Sequence, residues 1–188
     1  MDINCLFFND FETLDIFGPI EILSRIENVR MHYVSLQGGQ IKCRQGFKIK
    51  TEHISAINPK GVLVIPGGQG TRTLINNEKF VSQLKGLCFN AEYVLAVCTG
   101  AALLAKTGLL VNRNATSNKK AFEWVRSTSG NVNWIKEARW ITDGKFYTSA
   151  GVSAGMDMAL GFVSDICGIE KAKQIADDIE YDLYKKNC

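Results

Sequence analysis

Cys98 lies in Ala96-Val97-Cys98-Thr99-Gly100-Ala101, between an apolar run of strand length and the helix-favouring Ala101-Ala102-Leu103-Leu104-Ala105-Lys106. A cysteine at such a junction is lifted to the carboxyl edge of a sheet and set against the positive end of a helix dipole. That field favours thiolate over thiol. The same strand–turn–helix corner presents the serine of hydrolases, although the serine motif is absent here. Cys98 is the candidate nucleophile.

Two other segments could complete its chemistry. Asp15, in Thr13-Leu14-Asp15-Ile16-Phe17-Gly18-Pro19, is an acid among large apolar residues. It either caps a helix or lies buried beside Cys98, where two anions at contact would repel, share one proton and raise the carboxyl pKa. Pro66-Gly67-Gly68-Gln69-Gly70 lacks the spacing of a phosphate loop. It is either a turn or a stretch where the N–H groups of Gly67 and Gly68 approach a substrate atom that gains negative charge. Thr99 serves as a helix N-cap, as a hydroxyl donor to substrate, or as both. Free cysteine is usually an inert, buried apolar residue, which is the reading for Cys5, Cys88 and Cys167; Cys188 is terminal and expected to be mobile. His32 and His53 read as partly exposed and non-catalytic.

The elements that must position these residues alternate between strand and helix. Strands are expected at Ile3–Phe8, Met31–Leu36, Val62–Ile65 and Ala91–Val97, with a hairpin over Ile41–Ile49 around Gln45-Gly46. A helix is expected from about Phe17, with Pro19 in its first turn, where a missing N–H is harmless. Further helices are expected over Asn77–Leu87, Ala121–Arg126, Ser153–Cys167 and Ile169–Tyr184. Trp134–Ile141 and Lys145–Thr148 read as strands around Asp143-Gly144. Continuous apolar strands alternating with helices imply an α/β, three-layer sandwich: a largely parallel, flavodoxin-like sheet with helices on both faces. Ligands in such sheets bind at the carboxyl ends of the strands, near a switch in strand order. Asp15, Gly67-Gly68 and Cys98 all fall at such ends.

Composition narrows the function classes. The 188 residues suit one domain, residues 1–188, with 46% hydrophobic and 22% charged residues, as in an ordinary globular protein. A formal charge of +3, with basic pairs only at Lys119-Lys120 and Lys185-Lys186, does not suggest nucleic acid. No signal peptide and no apolar run long enough for a bilayer are visible, so no membrane role is expected. Six cysteines (Cys5, Cys43, Cys88, Cys98, Cys167 and Cys188) without CxxC pairs, and only two histidines, make a zinc site improbable. Free thiols point to a reducing, cytoplasmic location.

Five segments in order resemble the ThiJ/PfpI superfamily, whose sheet is shared with class I glutamine amidotransferases. They are Leu14–Leu23, Ile65–Thr71, Ala96–Ala101, Ala115-Thr116-Ser117 and Thr148–Asp157. An Asp before a Gly-Pro pair, together with Cys-Thr-Gly, is similar to the isonitrile hydratase branch. That resemblance implies a cofactor-free hydratase or lyase with Cys98 as nucleophile, Asp15 as acid/base and Thr99 as a substrate contact. It implies thiolate attack on the terminal isonitrile carbon, protonation by Asp15, then water attack to give an N-substituted formamide. It also implies a homodimer acting on a small molecule. Many superfamily members carry a histidine where this chain has Asn118, which is no general base, so a Cys-His amidase or protease mechanism is disfavoured. With no helix-turn-helix extension in the sequence, DNA binding is disfavoured as well. A thiol-based oxidant sensor, or a glyoxalase-like or amidase-like activity relayed through Asp15, stands as the alternative.

Overall fold

The computed structural model describes residues 1–182. An eight-stranded sheet forms its centre. In chain order the strands and first helix are β1 (Asp2–Leu6), α1 (Thr13–Leu23), β2 (Arg30–Ser35), β3 (Gly39–Lys42), β4 (Lys48–His53) and β5 (Val62–Ile65). Then come α2 (Gly70–Leu74), α3 (Glu78–Asn90), β6 (Tyr93–Val97), α4 (Gly100–Lys106), β7 (Asn114–Ala115) and α5 (Phe122–Thr128). The chain continues through β8 (Asn133–Trp134), β9 (Trp140–Asp143), β10 (Phe146–Ser149), α6 (Ala154–Cys167) and α7 (Ile169–Asp178).

The sheet order is β3-β4-β2-β1-β5-β6-β10-β9, while β7 and β8 pair separately. Neighbours are parallel from β4 to β10, and only the outermost pairs, β3–β4 and β10–β9, are antiparallel. The interior strands carry the apolar runs: β5 and β10 are buried throughout, and β1 and β6 from their second residue on. A strand covered on both faces must be apolar on both, which explains runs such as Val62-Leu63-Val64-Ile65 in place of alternation.

From β1 the chain moves one way in the sheet to β2, and from β5 the other way to β6. Right-handed crossovers then put α1 and α3 on opposite faces. The helix contacts agree: α6 packs on both α1 and α7, whereas α4 packs on α2, α3 and α5. The largely parallel, flavodoxin-like three-layer sandwich is therefore observed. The switch in strand direction falls at β1, so its carboxyl end and those of β5 and β6 border one crevice.

Several local expectations need correction. Helix α1 begins at Thr13, not near Phe17, so Pro19 is its seventh residue and lies inside the helix. Proline there withholds an N–H from the Asp15 carbonyl, and the close approach of α6 compensates by packing: Gly18 meets the Met156 side chain, and Gly155 meets Val97 and Pro19. The short helix α2 was not expected, because Gly70-Thr71-Arg72-Thr73-Leu74 has no helical apolar stripe. Trp134–Ile141 is not one strand: β8 and β9 are separated by irregular chain. Helix α7 ends at Asp178; the last two residues of its expected span, and Cys188, lie outside the described residues. Cys167 is exposed, not buried, because it falls on the last residue of α6.

Candidate active site

Cys98 adopts the left-handed conformation, with φ of 57°, which costs a non-glycine residue about 1–2 kcal/mol. Surrounding bonds hold it there. Its N–H donates to the carbonyls of both Ser149 and Ala150 at 3.1 Å, and its carbonyl accepts from the Ser117 hydroxyl at 2.6 Å. Gly100 lets the following helix start tight against β5, since a Cβ there would lie 2.6 Å from the Ile65 carbonyl oxygen. The corner expected from the sequence is present, and its strain is of the kind found at functional sites.

Asp15 is the third residue of α1 and is fully buried. It is no cap: the N-cap position belongs to Glu12, whose side chain makes no capping bond. One carboxyl oxygen, Oδ2, accepts the Gly67 N–H at 3.0 Å, while Oδ1 is buried without a conventional hydrogen-bond partner. Burial pushes Asp15 up to about 7, against the Cys98 side chain and the Gly67 and Val152 N–H groups, which favour its ionised form. With Asp15 ionised, burial and that negative charge push the Cys98 thiol up to about 12.

These two shifts describe one pair. Two anions in contact repel, so the pair holds on to one proton after the first is lost. This corrects the expectation that the helix field by itself leaves Cys98 ionised at neutrality. A thiolate forms here when Asp15 holds the proton.

Both glycines of the Pro66-Gly67-Gly68 turn reach the site, with their N–H groups engaged by its side chains. The Gly67 N–H is taken by Asp15, and the Gly68 N–H donates to the Thr99 hydroxyl at 3.0 Å. Gly67 passes so closely between Asp15 and Thr99 that a Cβ would lie 2.7 Å from Asp15 Oδ2 and 2.6 Å from the Thr99 backbone nitrogen. Thr99 stands at the N-cap of α4 without a side-chain capping bond. Its hydroxyl accepts from Gly68, and Thr71 Oγ1 lies 3.1 Å away. Thr99 thus ties the turn after β5 to the corner after β6, and its backbone N–H favours the Cys98 thiolate.

Asn118 has a part that its residue type hid. Its Oδ1 accepts the Ala121 N–H at 3.0 Å at the start of α5. Because a backbone N–H must meet oxygen, this bond fixes the amide orientation and turns Nδ2 into the site. There the Asn118 side chain favours the ionised form of Cys98. In place of a base, Asn118 offers an oriented donor. The same Asn118, with Val152, Gly151 and Ala150, lines a cavity of about 570 Å³ bordered by Lys119, Lys120, Glu137 and Arg139. A small molecule fits such a space.

Neither histidine joins the pair. His32 bonds Asp2 at 3.0 Å by the amino end of the sheet, and exposed His53 turns back on Ser55. Cys5, Cys43 and Cys88 are buried, and burial pushes the Cys5 and Cys88 thiols up, Cys88 to about 12. Among the described residues no group of His, Cys, Asp and Glu could hold a metal ion, and no helix is long and apolar enough to cross a membrane.

Known proteins share both the sequence and the fold. An isonitrile hydratase from Pseudomonas putida is 29% identical over 182 residues, covering 96% of this chain and 78% of the relative. A deglycase from Pyrococcus horikoshii is 27% identical over 146 residues, covering 75% and 84%. A ThiJ/PfpI family protein from Pseudomonas syringae superposes with a TM-score of 0.88 at 24% identity, over 99% of this chain and 77% of that one. Drosophila melanogaster DJ-1beta superposes with a TM-score of 0.81 at 19% identity, over 96% and 98%. Residues 1–165 match the description of the DJ-1/PfpI family. With its carboxyl–thiol pair at the switch of a parallel sheet, the chain belongs to the DJ-1/PfpI family.

Proposed function

We propose that this protein is a cysteine-dependent hydratase that converts a small isonitrile to an N-substituted formamide. The observation that carries this reading is the buried Asp15 carboxyl with an unpartnered oxygen beside a strained, corner-mounted Cys98. Likeness to the Pseudomonas putida isonitrile hydratase over nearly the whole chain supports it.

The chemistry needs a nucleophile and a proton in one place. With the proton on Asp15, Cys98 Sγ attacks the terminal carbon, forming the S–C bond and leaving an electron pair on that carbon. Asp15 delivers its proton there, giving a thioimidate and a carboxylate. The carboxylate then takes a proton from water as oxygen bonds to the same carbon. One water proton ends on nitrogen and the other restores the Asp15 carboxyl, while the C–S bond breaks and its electron pair returns to sulfur. Asn118 Nδ2 and the Thr99 N–H support sulfur whenever it carries charge. The oxidant-sensor reading and hydration both need an ionised Cys98 sulfur; hydration takes precedence because it also employs the buried Asp15 carboxyl as proton donor.

Incubation with a small alkyl isonitrile, followed by NMR of the formyl proton, tests the proposal. Wild type should form formamide, and Cys98→Ala and Asp15→Asn should each lose at least about a hundredfold in rate while staying folded. Formamide production by Cys98→Ala at the wild-type rate would end the proposal. The same reading includes one domain over residues 1–188, working as a cytoplasmic homodimer. Light scattering during size exclusion tests the dimer, with a monomer mass as the contrary result.

A further inference from the structure

Arg72 lies on α2, a helix fastened to the site by its neighbour Thr71, whose hydroxyl is 3.1 Å from that of Thr99. Trp124 stands on α5, the helix preceded by Ala121, whose N–H donates to Asn118 Oδ1. The Arg72 guanidinium stacks on the Trp124 ring, 3.6 Å from its centroid. The Arg72–Trp124 stack thus joins α2 to α5.

The stacking is one-sided in its use of the group. A ring occupies the flat face of a guanidinium and leaves the N–H donors at its edge free. Among the described residues, no carboxylate pairs with Arg72 and no acceptor takes its side-chain N–H groups. Two neighbouring cations differ: Arg139 is paired with Asp157, and Lys119 donates to the carbonyls of Lys136 and Ala138. Arg72 is also partly buried, which weakens its charged form, and the Cys98 sulfur is close enough to act in the opposite sense. A partly desolvated cation, fixed in plane and aimed without a partner, is the arrangement that recognises a planar two-oxygen anion.

We infer that Arg72, held on Trp124, is a specificity-determining residue that selects substrates bearing a carboxylate for attack by Cys98. One guanidinium edge matches the two oxygens of a carboxylate, so the substrate class is a small carboxylate-bearing electrophile rather than a wholly neutral one. The inference rests on Cys98 being the reacting atom of the proposed function, but not on the reaction being isonitrile hydration.

The test compares two alkylating probes of similar size, iodoacetate and iodoacetamide, which differ in charge. Rates of modification of the Cys98 peptide are followed by mass spectrometry in wild type, Arg72→Gln, Arg72→Lys and Trp124→Leu, with folding checked by circular dichroism. The ratio of the iodoacetate rate to the iodoacetamide rate should fall at least about tenfold in Arg72→Gln, and less in Arg72→Lys and Trp124→Leu. Acetate should protect Cys98 in wild type and not in Arg72→Gln. If both rates fall in the same proportion, Arg72 acts only on the sulfur and the inference is overturned; an unchanged ratio with unchanged rates overturns it too. Absence of formamide synthesis by the wild type would defeat the isonitrile reading and leave this ratio to decide the role of Arg72.

Discussion

Replacing Asp15 by Asn should make the protein more stable at neutral and mildly alkaline pH. Asp15 ionises near 3.8 in an unfolded chain, whereas burial holds its folded value near 7. Between those values the folded state binds more protons than the unfolded state, so stability falls as pH rises through the window and levels off above about 7. About three pKa units at about 1.36 kcal/mol each come to about 4 kcal/mol, a large part of the 5–15 kcal/mol that holds a typical domain together. Asn keeps the shape of a protonated carboxyl, its oxygen can accept the Gly67 N–H, and it has no charge to bury. Urea unfolding of both proteins from about pH 4 to about pH 8 isolates the effect, since other titrating groups cancel in the difference. The variant should match wild type near pH 4 and exceed it by about 4 kcal/mol near pH 8. A difference that stays flat with pH, or that grows in favour of wild type, would refute the buried, proton-retaining carboxyl and with it the acid in the mechanism.

Three further outcomes follow from the same geometry. Cys98→Gly should be more stable than Cys98→Ala by about 1 kcal/mol in chemical denaturation, because only glycine relieves the positive φ; equal stabilities would mean the corner is not strained. Asn118→Asp keeps an oxygen to accept the Ala121 N–H but replaces the donor facing sulfur with a second negative charge. Its thermal stability should stay within about 1 kcal/mol of wild type while Cys98 alkylation slows at least about tenfold, and an unchanged alkylation rate would remove Asn118 from the site. Gly67→Ala drives a Cβ into Asp15 Oδ2 and the Thr99 nitrogen, so it should lose soluble expression or lower the stability by at least about 2 kcal/mol. A stable Gly67→Ala protein with wild-type Cys98 reactivity would show that the turn is not wedged between them.

Much of the site was legible in the chain order because backbone type and burial leave local marks. Val62-Leu63-Val64-Ile65 and Tyr93–Val97 had to be covered strands, since no exposed strand carries such runs. Cys98 followed by Thr99-Gly100 and an alanine-rich helix marked the corner. What misled was local too: Pro19 suggested a helix start near Phe17, whereas the helix begins four residues earlier, at Thr13, with α6 packed against Gly18 and Pro19. Arg72 had no signal to offer, because α2 lacks an apolar stripe and the stacking partner Trp124 lies 52 residues away in the sequence.

The sequence by itself determined the sandwich, the strand-to-helix corner at Cys98, and the convergence of three strand ends on one crevice. Only the tertiary structure decided the charge state and the donors. Whether Asp15 is capped, solvated or buried depends on α6 closing over α1, and that burial, not the helix field, makes one proton serve both groups. Likewise Gly67 and Gly68 looked free to bind substrate until folding placed Asp15 and Thr99 against their N–H groups. Hydrogen-bond partners and desolvation are properties of neighbours brought from elsewhere in the chain, and spacing within a motif does not encode them.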